Sequence, residues 1–327
     1  MSRGACLQDN SESARIDQCT TPGCPLNAID AHVHLITRAM VEDTAQRFRT
    51  LYPFAHGAVE KRAERLFGKD FLGWLKGITL QQQADEWLRA MDANGLERAV
   101  FFPISGRLEE IRDFVSFAPD RFAGYAFLDD PAAPGAPERL RRAVNDLRLV
   151  GLKLYPSLQL FNCCDERLFP LYAEAQSLRI PITFHFGITH APVADYRYTN
   201  PLDLQLVLNL FPDLNIIVAH FGAGFFREVC LLGFHNKNIH LDTSGTNNWR
   251  DYTPERLPLE DIFKRAVEIY SAERIVFGTD TVIRPGAGYR SAIKEEQAGI
   301  VHGLNISPGE QALILRGNAQ RLFFGKQ

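Results

Sequence analysis

The chain has 327 residues, 46% of them hydrophobic and 23% charged, with a formal net charge of −3. That composition excludes a disordered or collagen-like chain, and the length suits one α/β barrel with insertions as well as two ordinary domains. Lys and Arg are scattered, so no basic footprint for nucleic acid or an anionic membrane stands out, and no stretch reaches the roughly 18 apolar residues of a membrane span.

Residues 1–27 read as a short polar arm without the apolar core of a signal peptide. Within it Cys19 and Cys24 resemble half a zinc knuckle, but no second Cys or His pair follows at suitable spacing. Six cysteines are too few for a disulfide scaffold, so all six read as reduced thiols of a cytoplasmic protein. A single domain is expected over 28–327. Its first apolar run, 28–35, reads AIDAHVHL. The stretch 37–77 exceeds a plain connection and reads as a helical insertion over the barrel mouth, a lid or a dimer contact. A helix over 80–94 ends at Gly95, a suitable C-cap. Further short β-branched runs follow at 98–105, 121–128, 150–156, 180–187, 214–222, 239–245 and 274–280. Between them helices are predicted at 137–149, at 165–178 behind an Asp165 cap, at 201–210 behind Asn200 and Pro201, and at 256–270. Ser307 and Glu310 form a capping box that starts the final helix.

From the second run onward the starts lie about 23 to 35 residues apart, the span of one strand–helix–strand unit. Largely apolar runs predict a parallel sheet covered on both faces, and eight of them predict a closed (β/α)8 TIM barrel with a helical insertion after strand 1. An open doubly wound sheet would carry a Gly-rich phosphate turn after its first strand. Here the first strand ends in His-Val-His instead.

The polar residues on these runs carry the chemistry. His32 and His34, two apart, share one face of the first strand. His185, His220 and Asp280 fall towards the ends of the fifth, sixth and eighth runs, where barrel enzymes build their sites. Imidazole and carboxylate together suit a divalent transition metal, most often Zn2+, with Mn2+ an option. Lone histidines in strands are usually satisfied core residues; the set gains its meaning from its common position. His56, His190, His235, His240 and His302 fall elsewhere and are assigned no chemistry, although His190 follows the fifth run closely enough to support a ligand. Lys153 and Tyr155 on the fourth run, Trp249 after the seventh, Arg284 and Arg290 after the eighth, and Arg47 in the insertion are candidate substrate contacts.

The pieces IDAHVHL, VGLKLYP, PITFHFG, NPLDL, FPDLNIIVAHFGAGF, HLDTSG, RIVFGTD and ILRGNAQRLF occur in an order that resembles the amidohydrolase superfamily. Within it the chain looks most like the amidohydrolase-related branch, which holds aminocarboxymuconate-semialdehyde decarboxylase, hydroxybenzoate-type decarboxylases and several lactone or amide hydrolases. The resemblance implies that His32, His34, His185 and Asp280 bind one divalent metal and that His220 is the catalytic histidine beside it. Much of the superfamily uses a modified lysine to bridge two metals, a role open to Lys153. By analogy with the superfamily at large, the first expectation is a hydrolase that turns a metal-activated water on a lactone, amide or ester of a small organic acid, Asp280 carrying the proton. The second is a non-oxidative decarboxylase of an aromatic or unsaturated carboxylic acid, built on the same residues. A metal-free binding module is the third. The partner in the first two is a small-molecule substrate, without nucleic acid or membrane, and a homodimer is possible.

Overall fold

The structure, a computed structural model, describes residues 28–325 apart from 56, 58–60, 62, 63, 66, 67, 190, 192 and 193. The 1–27 arm, with Cys19 and Cys24, and His56 and His190 therefore lie outside the described residues. Cys163, Cys164 and Cys230 are free thiols.

Short strands and helices alternate along the chain. β1 (Ala28–His34), β2 (Leu96–Phe102) and β3 (Phe122–Gly124) pair in that order. β4 (Ala126–Phe127), β5 (Leu152–Leu154), β6 (Ile182–Phe184), β7 (Ile216–Val218), β8 (Ile239–Asp242) and β9 (Ile275–Val276) pair in a second series. All these pairings are parallel. Hydrogen bonds stitch the two series together at both ends. The third predicted run breaks at Tyr125, but Tyr125 N–H still donates to the Phe101 carbonyl at 2.9 Å and Val150 N–H to the Gly124 carbonyl at 2.9 Å. On the other side, Ala31 N–H donates to the Phe277 carbonyl, His34 N–H to the Thr281 carbonyl and Asp280 N–H to the His32 carbonyl, at 2.8–2.9 Å. Val33 and Thr281 form a parallel bridge there. The eight expected runs thus form a TIM barrel.

Alternation along the strands separates two apolar surfaces. Ala99 and Phe101 join the large core beneath the helices, with Leu152, Leu154, Ile216, Val218 and Leu241. Val100, Phe102, Ala123, Tyr125, Ile217 and Val276 form a separate inner cluster with Ala319 and Phe323. The last two belong to the helix Asn318–Phe323, which closes the barrel floor, Phe323 meeting Tyr125 edge-on at 5.8 Å. The predicted caps are present: Asp165 accepts from Arg167 N–H, Asn200 from Leu202 N–H, and Ser307 and Glu310 bond reciprocally. The predicted helix over 256–270 starts later, at Leu259, because Pro258 stands just before it in extended backbone.

The insertion after β1 is helical, with α1 (Arg38–Leu51) and α2 (Lys69–Gly77). The strands stop short of their predicted apolar runs, and at the site this matters most for β6, which stops at Phe184, β7 at Val218 and β9 at Val276. His185, His220 and Asp280 therefore stand just past the ladders, where the backbone is free to turn a side chain onto the barrel axis. No helix among the described residues is long and apolar enough to cross a membrane.

Candidate active site

The turn after β7 is the most distorted backbone at the mouth. His220, Phe221, Gly222 and Ala223 all have positive φ, at 56°, 52°, 87° and 45°. Each non-glycine residue there costs on the order of 1–2 kcal/mol, so the turn needs outside support. Ala223 N–H bonds back to the His220 carbonyl, and Ile188 N–H donates to the Ala223 carbonyl, both at 2.9 Å. Gly187 makes that second contact feasible, since a Cβ there would lie 2.0 Å from the Ala223 oxygen. Two loops are thereby locked together, and His185 and His220 are held face to edge with ring centroids 4.8 Å apart.

Each of the four imidazoles has one nitrogen turned outward against an acceptor. His32 Nδ1 lies 2.5 Å from Asp242 Oδ2 and His34 Nδ1 3.2 Å from the Phe102 carbonyl. His185 Nε2 faces the Ile188 carbonyl at 3.2 Å, and His220 Nδ1 the Ser244 carbonyl at 3.0 Å. With a cation in place, those acceptors would hold the ring protons on the outer nitrogens. The lone pairs of the inner nitrogens then converge. His220 Nε2 faces His185 Nδ1 at 3.1 Å, His34 Nε2 faces Asp280 Oδ1 at 3.0 Å, and His32 Nε2 lies 3.9 Å from Asp280 Oδ1. His32 Nε2 is buried and has no hydrogen-bond partner among the described residues. His32, His220 and Asp280 each offer an atom within 4.8 Å of the others.

Electrostatics reinforces the arrangement. Burial pushes His32 down to about 4 and His185 well below its usual value, so both rings are neutral at neutral pH. Burial would raise the Asp280 carboxyl, but the His34 hydrogen bond and the surrounding imidazoles hold it well below the carboxylate range. These imidazoles and one carboxylate pointing at a shared space form a donor set for a divalent cation. The buried, unbonded His32 Nε2 and the opposed lone pairs of His185 and His220 are what such an ion would satisfy.

Several supporting residues escaped sequence reasoning. Asp242, 2% exposed, ends β8 behind His32 and also accepts from Ser244 N–H, in the carboxylate–histidine arrangement that orients a metal ligand. Asp242 lies inside the run 239–245 rather than at its close, so the position that singles out Asp280 does not single it out. Asp30 gathers donors from Thr279 N–H, Thr279 Oγ1, Tyr289 Oη and His32 N–H. It ties β1 to the segment carrying Asp280 and to the end of the next loop. Burial raises its carboxyl to about 7.

Above the donor set lies a cavity of about 470 Å³. Its walls are largely apolar, with Ile36, Ile104, Phe127, Leu158, Ile188 and Trp249, while α1 adds Val41, Thr44, Phe48 and Arg49. The predicted contacts Lys153, Tyr155, Trp249, Arg284 and Arg290 all line it. Arg47 does not. Its guanidinium turns to the Leu158 carbonyl at 3.4 Å, and Arg49, two residues on, faces the cavity instead. Tyr155 stacks on His185 at 4.1 Å and its hydroxyl bonds the Thr189 hydroxyl. Arg284 lies 5.4 Å over the Phe71 ring of α2, and Arg290 Nη1 is 3.7 Å from Asp280 Oδ2. Among the unassigned histidines, His235 and His302 are exposed on helices, and His240 is buried in β8 away from the cavity.

Comparison with known proteins gives these surroundings a family context. A family model described as amidohydrolase matches residues 29–325. The gamma-resorcylate decarboxylase of Rhizobium sp. (strain MTP-10005) is 24% identical over 309 residues, covering 73% of this chain and 86% of that protein. The structure of 5-carboxyvanillate decarboxylase from Sphingomonas paucimobilis superposes with a TM-score of 0.64 at 18% identity, covering 91% of this chain and 99% of that one. The structure of a dihydroxybenzoic acid decarboxylase from Polaromonas sp. JS666, with bound manganese and the inhibitor 2-nitroresorcinol, gives 0.58 at 20% identity, with 91% and 97% covered.

Proposed function

The chain belongs to the amidohydrolase family, and on that premise we propose that it is a non-oxidative, metal-dependent decarboxylase of a hydroxylated aromatic or similarly unsaturated carboxylic acid. The observation that carries this reading is that the gamma-resorcylate relative, aligned over 73% of this chain, is a decarboxylase. The two solved structures described above are decarboxylases as well. The hydrolase expectation rested on the habits of the superfamily at large, and no residue of the site favours it. The cavity suits the acid: an apolar slot for a flat ring, with Lys153, Arg49, Arg284 and Arg290 around it for negative charge.

His32, His34, His185 and Asp280 would hold one divalent ion, with manganese favoured by the Polaromonas enzyme and zinc also suited to the donors. When bound, that ion supplies a Lewis acid for the substrate's oxygens. The rest is the work of the chain. Asp242 fixes the His32 ring, so that its lone pair stays on Nε2. The Ser244 carbonyl does the same for His220, leaving His220 Nε2 as the basic atom that takes or lends a proton on a ring hydroxyl. Asp280, a carboxylate at rest, takes a proton from solvent at the mouth and passes it to the carbon that bears the carboxylate, returning to its carboxylate form. The ring–carboxylate bond breaks, its electron pair stays on that carbon and is captured by the proton, and carbon dioxide leaves. The apolar walls keep water away from the ring carbon while this happens, and α1 covers the mouth.

Product analysis tests the proposal. Purified protein supplied with a divalent metal is offered a panel of hydroxybenzoates and unsaturated amino acids, and separately a panel of lactones and amides. One carbon dioxide released per phenol or alkene product is expected from the first panel. Turnover of the second panel without carbon dioxide would restore the hydrolase reading.

A further inference from the structure

Lys153 lies in β5, two residues before Tyr155, and lines the cavity with His34, His185, His220 and Asp280. It is 3% exposed, and its Nζ is buried with no hydrogen-bond partner among the described residues. An amine with three donors is rarely left so, because each unmet donor in a buried place carries a desolvation penalty. The Phe102 ring, whose centroid is 5.0 Å from Nζ, offsets part of it as a cation–π contact. The nearby carboxylates are engaged elsewhere. Asp242 is taken by His32 Nδ1 and Ser244 N–H, and Asp280 by His34 Nε2. The chain therefore leaves this amine unfinished on the wall of a cavity about 470 Å³ in size.

We propose that Lys153 is a substrate-anchoring residue, whose amine receives an anionic oxygen at the buried side of the cavity. This rests on the decarboxylase reading and narrows it: the acid enters charged end first, with its ring among Ile104, Phe127 and Leu158. Two oxygens share the required chemistry, the carboxylate itself and an ionised ring hydroxyl. The role is one of affinity and placement. A cation fixed on the substrate before reaction holds ground and transition states alike, so its loss raises KM far more than it lowers kcat.

The test uses the full chain stripped of metal by a chelator, with binding read by calorimetry. The probes are 2,6-dihydroxybenzoate (a carboxylate), 2-nitroresorcinol (a readily ionised phenol) and resorcinol (neutral). Lys153→Met should weaken one or both anions by about 10–100-fold, the worth of a charge-assisted hydrogen bond, and leave resorcinol within twofold. The probe that loses affinity identifies the oxygen that the amine holds. Lys153→Arg should recover part of the anion binding. Unchanged anion affinity, or an equal loss for resorcinol, overturns the proposal, as does a carboxyl group carried on Lys153 in the native mass spectrum, since that would make the side chain an anion. The two proposals fail separately: a selective loss of anion binding in a protein that releases no carbon dioxide sinks only the decarboxylase reading, and carbon dioxide release with no selective loss sinks only the anchor.

Discussion

His32 and His240 are both buried strand histidines of one barrel, and they do opposite things. His32, at the mouth end of β1, gives Nδ1 to a carboxylate and leaves Nε2 bare beside Asp280. His240, near the start of β8, shares Nε2 with Asn215 Oδ1 at 3.2 Å, and the charges that act on it are Arg321 and Arg274. Burial depresses both rings, His32 to about 4 and His240 to about 3. Each even keeps one nitrogen without a partner among the described residues. Neither a shifted proton affinity nor an orphaned atom therefore marks a ligand. The mark is the carboxylate behind His32 and the three other imidazoles that aim at the same space.

The largest effect expected at the mouth is that of Asp280→Asn. It removes the negative charge of the donor set and the proton carrier together, so turnover should fall by about 10⁴-fold or more, beyond the range of a single acid–base group. Metal bound after dialysis should fall too. Retention of both would place the chemistry elsewhere. His220→Asn comes next, with turnover down about 10²–10⁴-fold and metal content near that of the unaltered protein. This variant also divides two assignments. His220 forms the compact group with His32 and Asp280, so loss of metal in His220→Asn and its retention in His185→Asn would exchange the roles of the two histidines. Asp242→Asn reaches the site only through the His32 ring, and a loss of about 10–100-fold in metal affinity is expected, read by competition with a chelator. An unchanged affinity would make Asp242 a packing residue and remove the contrast with His240.

How much of this was readable in the sequence follows the same divide. The apolar, evenly spaced runs announce the barrel, because parallel strands buried on both faces require that pattern. His32, His34, His185, His220 and Asp280 were legible because each falls towards the end of an apolar run. Their meeting was not, since it depends on strands stopping short and on five consecutive positive-φ residues from His220 to Gly224, which no period of two or 3.6 reports. Asp242 and Asp30 went unread because a carboxylate in a strand declares itself only once the imidazole or hydroxyl it holds is known. Arg47 and Arg49 show the finest limit. Both sit on α1, and only the turn of the helix decides which one faces the cavity.

His240 supplies the smallest effect, one that leaves the chemistry untouched. Its ring titrates near 6.5 when free and about 3 in the fold, where burial keeps it neutral. The stability it contributes is thus fully present above pH 6.5 and is lost as pH falls from there towards 3, because the unfolded chain takes up a proton that the folded chain refuses. By pH 5 the loss amounts to about 2 kcal/mol. His240→Leu abolishes that proton uptake. Urea unfolding of metal-free protein at pH 7 and pH 5 should show the variant gaining about 2 kcal/mol relative to the parent over this interval, whatever its stability at pH 7. The metal-free state keeps the mouth histidines equal in both proteins, so the difference reports His240 alone. Parallel pH profiles would mean that the ring charges freely within the fold, and the floor and mouth of the barrel would then differ less than their partners suggest.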